Sequence, residues 1–207
     1  MYSWSLIIFI SIFSPVFGLA SRLDNSISNH KGVFLKKRAL NRNDADVSNA
    51  CKHTEPTGEW KNAVLEQHNV NRAHYGAMPL TWSDELYPGT EKWACSCVYE
   101  HSNPLAPYGE CLAAGDPASY GIEDAVADWM KESKDYDYHH PGFSMSTGHF
   151  TQVVWKSTKQ VACALVTCEK GTFPDVFNYV ICRYMPSGNY DGEFEKNVGK
   201  PQRPQYQ

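Results

Sequence analysis

The sequence QVACALVTCEKGTFPDVFNYVICRY, residues 160–184, decides the fold class of this chain. It contains two strand candidates, Gln160–Cys168 and Val176–Tyr184, and FTQVVW at Phe150–Trp155 is a third; all are rich in Val, Ile, Thr and aromatic residues. Successive residues of Gln160–Cys168 are apolar on both faces, and a sheet that is apolar on both faces must be covered on both. We therefore predict an α+β fold, a three-layer α-β-α sandwich. Its central sheet should be mostly antiparallel, because the strand connections are short.

The helices that would cover this sheet precede it in the chain. Glu59–Tyr75 places apolar, aromatic and His residues at spacings of three and four, which is typical of a helix. Residues 121–133 predict another helix with an apolar face. Between them, a helix capped by Ser83 is either short or restarts near residue 90 and runs to about residue 99, because Pro88 interrupts its pattern.

Composition restricts the class of protein. The 207 residues are 42% hydrophobic and 13% aromatic, which supports a packed core. With 19 basic and 23 acidic residues, the formal charge of −4 gives no reason to expect nucleic acid as a partner. Seven cysteines favour a secreted domain stapled by disulfides, and the odd number leaves at least one sulfur without a partner in the chain.

The ends of the chain have the composition of processed segments. Residues 1–20 have the apolar core of a secretory signal peptide, with an N-terminal membrane anchor as the alternative. Residues 21–38 form a propeptide or polar segment that ends in a kexin-like Lys-Lys-Arg site. An N-terminal arm at 39–58 and one domain at 59–192 follow, and 193–207 is predicted to be a disordered tail. We expect a secreted, extracellular protein without a stable membrane anchor.

Four segments carry a resemblance to a known family: HSNPLAPYGECL (101–112), AVADWMKES (125–133), GHFTQVVW (148–155) and CRYMPSGNYDG (182–192). They resemble the CAP superfamily, which includes cysteine-rich secretory proteins, antigen 5 and pathogenesis-related class-one proteins. The stretch PGFSMSTGHFTQVVWKST (141–158) is most similar to the fungal "pathogen-related in yeast" members, which bind sterols. The resemblance covers residues 60–192 and implies an α-β-α sandwich.

The resemblance also implies a group of four side chains around one cavity: His101, Glu110, Glu132 and His149. Imidazole and carboxylate are ligands for a divalent metal such as zinc or magnesium, the one cofactor that we expect here. The same groups can instead form a mutually satisfied hydrogen-bond network, or a catalytic acid–base pair. Because the chain has no His-Glu-x-x-His helix and no Gly-x-Ser-x-Gly turn, we predict that it is not an enzyme.

By the pattern of the family, Cys97 pairs with Cys168 and Cys163 pairs with Cys182. Cys51, Cys95 and Cys111 remain, and either Cys95–Cys111 or Cys51–Cys111 is open to them. Cys111 stands where the family has Asn, after Glu110. A disulfide is the favoured role for Cys111, with a reactive free thiol as the alternative.

The predicted long loop at 134–148 contains the aromatic segment of the fungal relatives that is associated with sterol binding. Its matching residues here are Tyr136, Tyr138, Pro141 and Phe143. Aromatic side chains on such a loop suit a sterol, a flat apolar molecule with one hydroxyl; alternatively they pack as part of the core. We expect a protein that binds sterols or related small hydrophobic lipids, in lipid export or in contact between a fungus and its host. The alternatives are a metal-dependent hydrolase that uses the four His and Glu residues, and a non-catalytic effector that engages a host receptor protein.

Overall fold

The computed structural model describes residues 51–53, 55–103 and 105–202. The predicted signal peptide, the propeptide and most of the N-terminal arm lie outside the described residues, and so do the last five residues of the predicted tail. Those expectations stay predictions. Across the described residues, no helix combines the length and the hydrophobicity that crossing a bilayer requires.

The described elements follow one another along the chain as strands and helices of one sandwich. In order they are β1 (Lys52–His53), α1 (Gly58–His74), β2 (Thr81–Trp82), α2 (Tyr87–Ala94), β3 (Gly109–Gly115), α3 (Ile122–Lys131), a 3₁₀ turn (Glu132–Asp135), α4 (Gly148–Val153), β4 (Gln160–Cys168), β5 (Phe177–Met185) and α5 (Phe194–Asn197).

The sheet has the strand order β1-β4-β5-β3, and β2 lies beside β4. Among the described strands, only the short β2–β4 pairing is parallel, whereas β4–β5, β3–β5 and β1–β4 are antiparallel. The prediction of a mostly antiparallel sheet is therefore confirmed.

Helices cover both faces of this sheet. On one face, α1, α3 and α4 contribute to a core that includes Val64, Val126, Trp129 and Phe150. On the other face, α2 and its N-terminal flank contribute Leu86 and other residues to a second core. β5 is buried at every position except its last, Met185, so both faces of the strand need this cover. The predicted three-layer α-β-α sandwich is confirmed.

Local signals define the starts of α1 and α2. The Thr57 side chain accepts a hydrogen bond from the backbone N–H of Trp60 at 3.2 Å, which caps α1. Pro88 lies in the first turn of α2, where its missing N–H has no helical acceptor to lose. Neither predicted form has the correct bounds, because α2 begins at Tyr87, after the turn that follows Ser83, and ends at Ala94. Pro88 helps to begin this helix rather than to break it.

The strand predicted at Phe150–Trp155 is wrong, because most of this segment forms α4. The Glu132 carboxylate accepts hydrogen bonds from the backbone N–H groups of His149 and Phe150, at 2.9 and 3.0 Å, in the first turn of that helix. A distant side chain thus satisfies N–H groups that have no partner within the helix, and this tertiary contact overrides the β propensity of FTQVVW.

Two further differences concern segments with weak sequence signals. β3, GECLAAG, was not predicted as a strand because its Gly and Ala residues have low β propensity. The expectation of disorder is wrong for the first residues after 192, where Phe194 is buried and packs edge-to-face on Trp155 with ring centroids 5.1 Å apart.

The structure contains three disulfides among its seven cysteines. Cys97–Cys168 and Cys163–Cys182 are the two pairs that the family resemblance implies. The third is Cys51–Cys95, which joins the N-terminal arm to the residue after α2. Neither of the two disulfides considered for Cys111 forms. Cys111 is instead a free thiol, the alternative role, and it has no exposed surface.

A buried imidazole connects α1 to the sheet. His68 Nδ1 donates to the Val64 carbonyl at 2.7 Å, so Nε2 is left to accept a hydrogen bond from the Tyr184 hydroxyl at 2.9 Å. Burial lowers the pKa of His68 from 6.5 to about 4; the hydrogen bond to Val64 opposes this shift, and the charge of Arg72 adds to it.

This buried histidine predicts a loss of stability in mild acid. Between pH 6.5 and 4 the unfolded chain binds a proton at His68 that the folded chain does not, so folding weakens as the pH falls through this range. The contribution amounts to about 3 kcal/mol by pH 4. We expect His68→Gln to lower stability at pH 7 but to flatten its pH dependence, measured by urea unfolding from pH 7 to pH 4. Parallel curves for the variant and the original chain would contradict this.

Candidate functional site

Glu132 and His149 form the better buried half of the predicted site. Glu132 is the first residue after α3, and its carboxylate lies beside the first turn of α4. There His149 Nδ1 donates a hydrogen bond to Glu132 Oε1 at 2.7 Å. Their side chains are 8% and 20% exposed. The indole ring of Trp129 stacks on the His149 ring at 6.1 Å and 19°. This arrangement fixes the orientation of the imidazole. Nε2 is the ring nitrogen that is left to accept a hydrogen bond or to bind a cation.

Glu110, at the start of β3, belongs to a different group. Its carboxylate accepts hydrogen bonds from Ser102 Oγ at 2.5 Å, from the Ser102 N–H at 2.9 Å and from Arg183 Nε at 2.9 Å. His101 Nδ1 lies 3.4 Å from the same carboxylate, and the imidazole is 63% exposed. The Arg183 guanidinium also lies over the ring of Tyr108, 4.3 Å from its centroid. Glu110 is thus mainly the partner of a buried arginine.

Hydrogen bonding determines the charge of this carboxylate. Burial alone would raise the pKa of Glu110, but hydrogen bonds from His101, Ser102 and Arg183 outweigh burial and lower it from 4.5 to about 2. Glu110 is therefore ionised at any pH near neutral. Because the Ser102 hydroxyl donates its proton to this carboxylate, it is bound as a structural donor and not activated as a nucleophile.

The two pairs lie on opposite faces of the edge strand β3. Glu110 is directly opposite Arg183 on β5, on the face that α2 covers, as its neighbour Leu112 shows. Cys111 points the other way, into the core beneath α3 and α4, and its Sγ lies 3.9 Å from the carbonyl oxygen of His149. The structure therefore places the four residues as two His–Glu pairs around the start of β3.

This geometry does not form a closed site of four metal ligands. The oxygens of Glu110 and Glu132 already accept hydrogen bonds from protein donors, and magnesium in particular needs free oxygen ligands. Within the described part of the chain, two groups bring three His and Cys ligand atoms within 4.8 Å of one another, Cys51–His53–Cys95 and His68–Cys163–Cys182. The sulfurs of both groups are used in disulfides and offer no thiolate. What remains for a zinc ion is the two imidazoles of His101 and His149, oriented by their carboxylates.

The predicted lipid-binding residues divide into an inner and an outer pair. Tyr136 is 8% exposed and meets Tyr138 edge-to-face at 4.8 Å and Phe150 at 5.7 Å. Pro141 and Phe143 lie on the surface, where Phe143 is 55% exposed. The core alternative thus applies to the inner pair, whereas sterol contact stays a prediction for the outer pair.

The inner pair has an unsatisfied polar group on each ring. The hydroxyl oxygens of Tyr136 and Tyr138 are buried and have no hydrogen-bond partner among the described residues. Buried hydroxyls normally find a partner, because leaving one without a hydrogen bond costs about 1–3 kcal/mol. The outer segment PGFSMSTG (141–148) carries no charged residue and also exposes Met145, at 40%.

Three residues that hold the His–Glu pairs and α4 in position were not predicted from the sequence. Arg183 pairs with Glu110, Trp129 supports His149, and Gln152 joins α4 to the segment after β5 through its Oε1, which accepts the Gly188 N–H at 2.8 Å. A Cβ on Gly109 or Gly188 would collide with the Gln152 side chain, so a larger residue at either position would displace this side chain from its hydrogen bond. All three residues lie in the four motifs that carry the family resemblance, and this was the only signal for them.

A family model, CAP, the cysteine-rich secretory protein family, matches residues 65–184, which contain all four site residues and the aromatic segment. The chain belongs to the CAP family. Over 145 residues it is 43% identical to Protein PRY2 of Saccharomyces cerevisiae, covering 68% of this chain and 41% of the yeast protein. Over 142 residues it is 39% identical to pathogenesis-related protein PR-1 of Medicago truncatula, covering 65% of this chain and 78% of the plant protein. The chain thus spans less than half the length of the yeast relative.

Solved structures support the CAP fold. The crystal structure of NaASP2 with Zn²⁺ has a TM-score of 0.55 at 22% identity and covers 72% of this chain and 88% of its own. The crystal structure of Na-ASP-1 has a TM-score of 0.58 at 22% identity and covers 73% of this chain and 45% of its own. At this identity the likeness concerns the fold alone.

The Glu110–Arg183 pair predicts a second stability effect at lower pH. Because the folded-state pKa of Glu110 is depressed, its stabilisation is fully present above pH 4.5 and is lost as the pH falls towards 2. We expect Glu110→Gln to lower the free energy of unfolding at pH 7 by about 3 kcal/mol, because it leaves Arg183 buried without a counter-charge. The deficit should shrink below pH 4.5 in guanidinium unfolding. Glu66→Gln, on the exposed face of α1, is the matched control and should change little; an equal loss in both variants would refute the buried-pair account.

Proposed function

We propose that this CAP domain binds sterols or related small hydrophobic lipids at the aromatic segment Tyr136–Met145. The observation that carries the proposal is the pair of buried hydroxyls, on Tyr136 and Tyr138, that have no partner among the described residues. They lie among aromatic rings at the margin of the core. A ligand that brings one hydroxyl on an apolar body would satisfy one of these groups and bury its own apolar surface.

The outer part of the segment supplies the apolar contact. Phe143 and Met145 are exposed at 55% and 40%, within a stretch that has no charge to desolvate. The Phe143 ring reaches back to α4, where a Cβ on Gly148 would lie 3.1 Å from Phe143 Cε2. Closing these two side chains over a rigid ring system would remove apolar area from water at about 25 cal/mol per Å².

Secretion, and a binding rather than a catalytic role, belong to the same proposal. Three disulfides within one small domain suit an oxidising compartment. At the start of β3, the serine and both carboxylates are engaged in hydrogen bonds that fix the structure. A role in lipid export or at a contact with a host organism follows if the bound lipid is carried outside the cell.

Binding of radiolabelled cholesterol to the purified chain, with unlabelled sterol as competitor, tests the proposal. We expect saturable binding that Tyr136→Phe combined with Tyr138→Phe weakens about tenfold, the effect of one lost hydrogen bond. The thermal stability of that variant should be equal or higher, because it removes unsatisfied hydroxyls. Phe143→Ala should also weaken binding, whereas Met78→Ala should not, although Met78, beyond the end of α1, is even more exposed than Phe143. Absence of saturable binding, or the same affinity in all variants, would overturn the proposal.

Removal of metal separates lipid binding from the His–Glu pairs. We expect sterol affinity to be unchanged, within twofold, after dialysis against EDTA and in His101→Ala, because the aromatic segment does not include this imidazole. Metal content of the purified chain before and after dialysis, measured by mass spectrometry, is the control. Loss of sterol binding with loss of zinc, and its return when zinc is restored, would instead favour a site that depends on the imidazoles.

A further inference from the structure

Three cysteines lie in a row across the middle of the sheet. Cys182 on β5 is directly opposite Cys163 on β4 and, on its other side, directly opposite Cys111 on β3. Residues that are directly opposite one another project from the same face of a sheet, and all three belong to the core beneath α1, α3 and α4 with no exposed surface. The buried free thiol therefore neighbours a disulfide.

The backbone geometry suits a disulfide on either side of Cys182. The Cα atoms of Cys163 and Cys182 are 4.1 Å apart, as in the narrow, non-hydrogen-bonded type of antiparallel pair. Because the two pair types alternate across a strand, Cys111 and Cys182 form the wide pair, with a Cα separation of about 5.5 Å. This value is close to the commonest separation for disulfides.

We propose that Cys111 is an alternative disulfide partner for Cys182, so that the sheet supports two isomeric disulfides, Cys163–Cys182 and Cys111–Cys182. In the exchange, the Cys111 sulfur, as thiolate, attacks Cys182 Sγ. The Cys163–Cys182 bond breaks, and Cys163 leaves as a thiolate that takes up the proton lost by Cys111. One S–S bond forms as another breaks, so no oxidant or reductant is consumed. In the row, Cys182 lies between Cys111 and Cys163, so the attacking and the leaving residues are on opposite sides of it.

The Cys111 thiol has no exposed surface in the closed sheet, so neither water nor a base can reach it to remove its proton. Exchange is therefore slow in the closed sheet and proceeds when β3, which pairs with β5 alone among the described strands, opens.

The exchange would change which strands are covalently joined at the site. Cys163–Cys182 joins β4 to β5, whereas Cys111–Cys182 would join β5 to β3, the strand that carries Glu110. The Cys111 sulfur would also leave its position 3.9 Å from the His149 carbonyl oxygen. Both His–Glu pairs are thus next to the residue that moves.

The variant Cys163→Ser tests the alternative pair directly. With six cysteines left, a Cys111–Cys182 disulfide leaves no free thiol, whereas its absence leaves two. We expect none in the secreted, folded variant, counted by mass spectrometry after alkylation under denaturing conditions, together with a linked peptide that contains Cys111 and Cys182. The control Cys163→Ser/Cys111→Ser should show one free thiol, at Cys182. Two free thiols in a folded Cys163→Ser variant would overturn the proposal.

The unmodified chain provides a test that does not depend on how that variant folds. After incubation at pH 9 in mild denaturant and an acid quench, we expect a minor fraction, on the order of a few per cent, with Cys163 alkylated and Cys111 linked to Cys182. Cys111→Ser should give no alkylated Cys163 under the same conditions. Alkylation confined to Cys111 at every pH and denaturant concentration short of unfolding would contradict the exchange.

Discussion

Strand β5 is buried on both faces along nearly its whole length, and the rest of the structure depends on this constraint. A strand of this kind needs a neighbour on each edge and a helix layer on each face, because neither its backbone nor its side chains can face water. β4 and β3 occupy its edges, α2 covers one face, and α1, α3 and α4 cover the other. The same strand carries Arg183 to one face and Cys182 and Tyr184 to the other, so it organises both the ion pair of Glu110 and the buried hydrogen bonds of His68.

The architecture could be predicted from sequence because this constraint is visible in the residues. β4 and β5 consist mostly of apolar residues, with Asn178 and Arg183 as the polar exceptions in β5. The helix α1 can be recognised from the periodicity of its own residues. The segment at Phe150–Trp155 has the same composition but forms a helix, because Glu132, distant in sequence, accepts the N–H groups at its start. β3 was not predicted as a strand, for the opposite reason. Its small residues form a strand only because β5 offers a complete edge to pair with.

In the candidate site, too, the sequence motifs predict some features, whereas others depend on tertiary contacts. The motifs indicated which His, Glu and aromatic residues would matter, but not that the four polar residues form two pairs on opposite faces of β3. That arrangement depends on the register of β3 against β5, which places Glu110 directly opposite Arg183 on the α2 face. The missing partners of the Tyr136 and Tyr138 hydroxyls are likewise a property of packing, since a sequence cannot indicate which groups stay unsatisfied. The Cys51–Cys95 disulfide depends on the path of the arm along β4, for which its polar sequence gave no signal.

These features describe a CAP domain whose polar groups around β3 are used for structure and whose aromatic segment keeps unsatisfied hydroxyls and exposed apolar rings. The central claim is that this segment is where lipid binds. Cross-linking with a photoreactive sterol, followed by peptide mapping, tests it most directly. The account predicts adducts within residues 136–150 that excess unlabelled sterol suppresses. Suppressible adducts confined to α2 and the adjacent face of β3, with none in this segment, would contradict it.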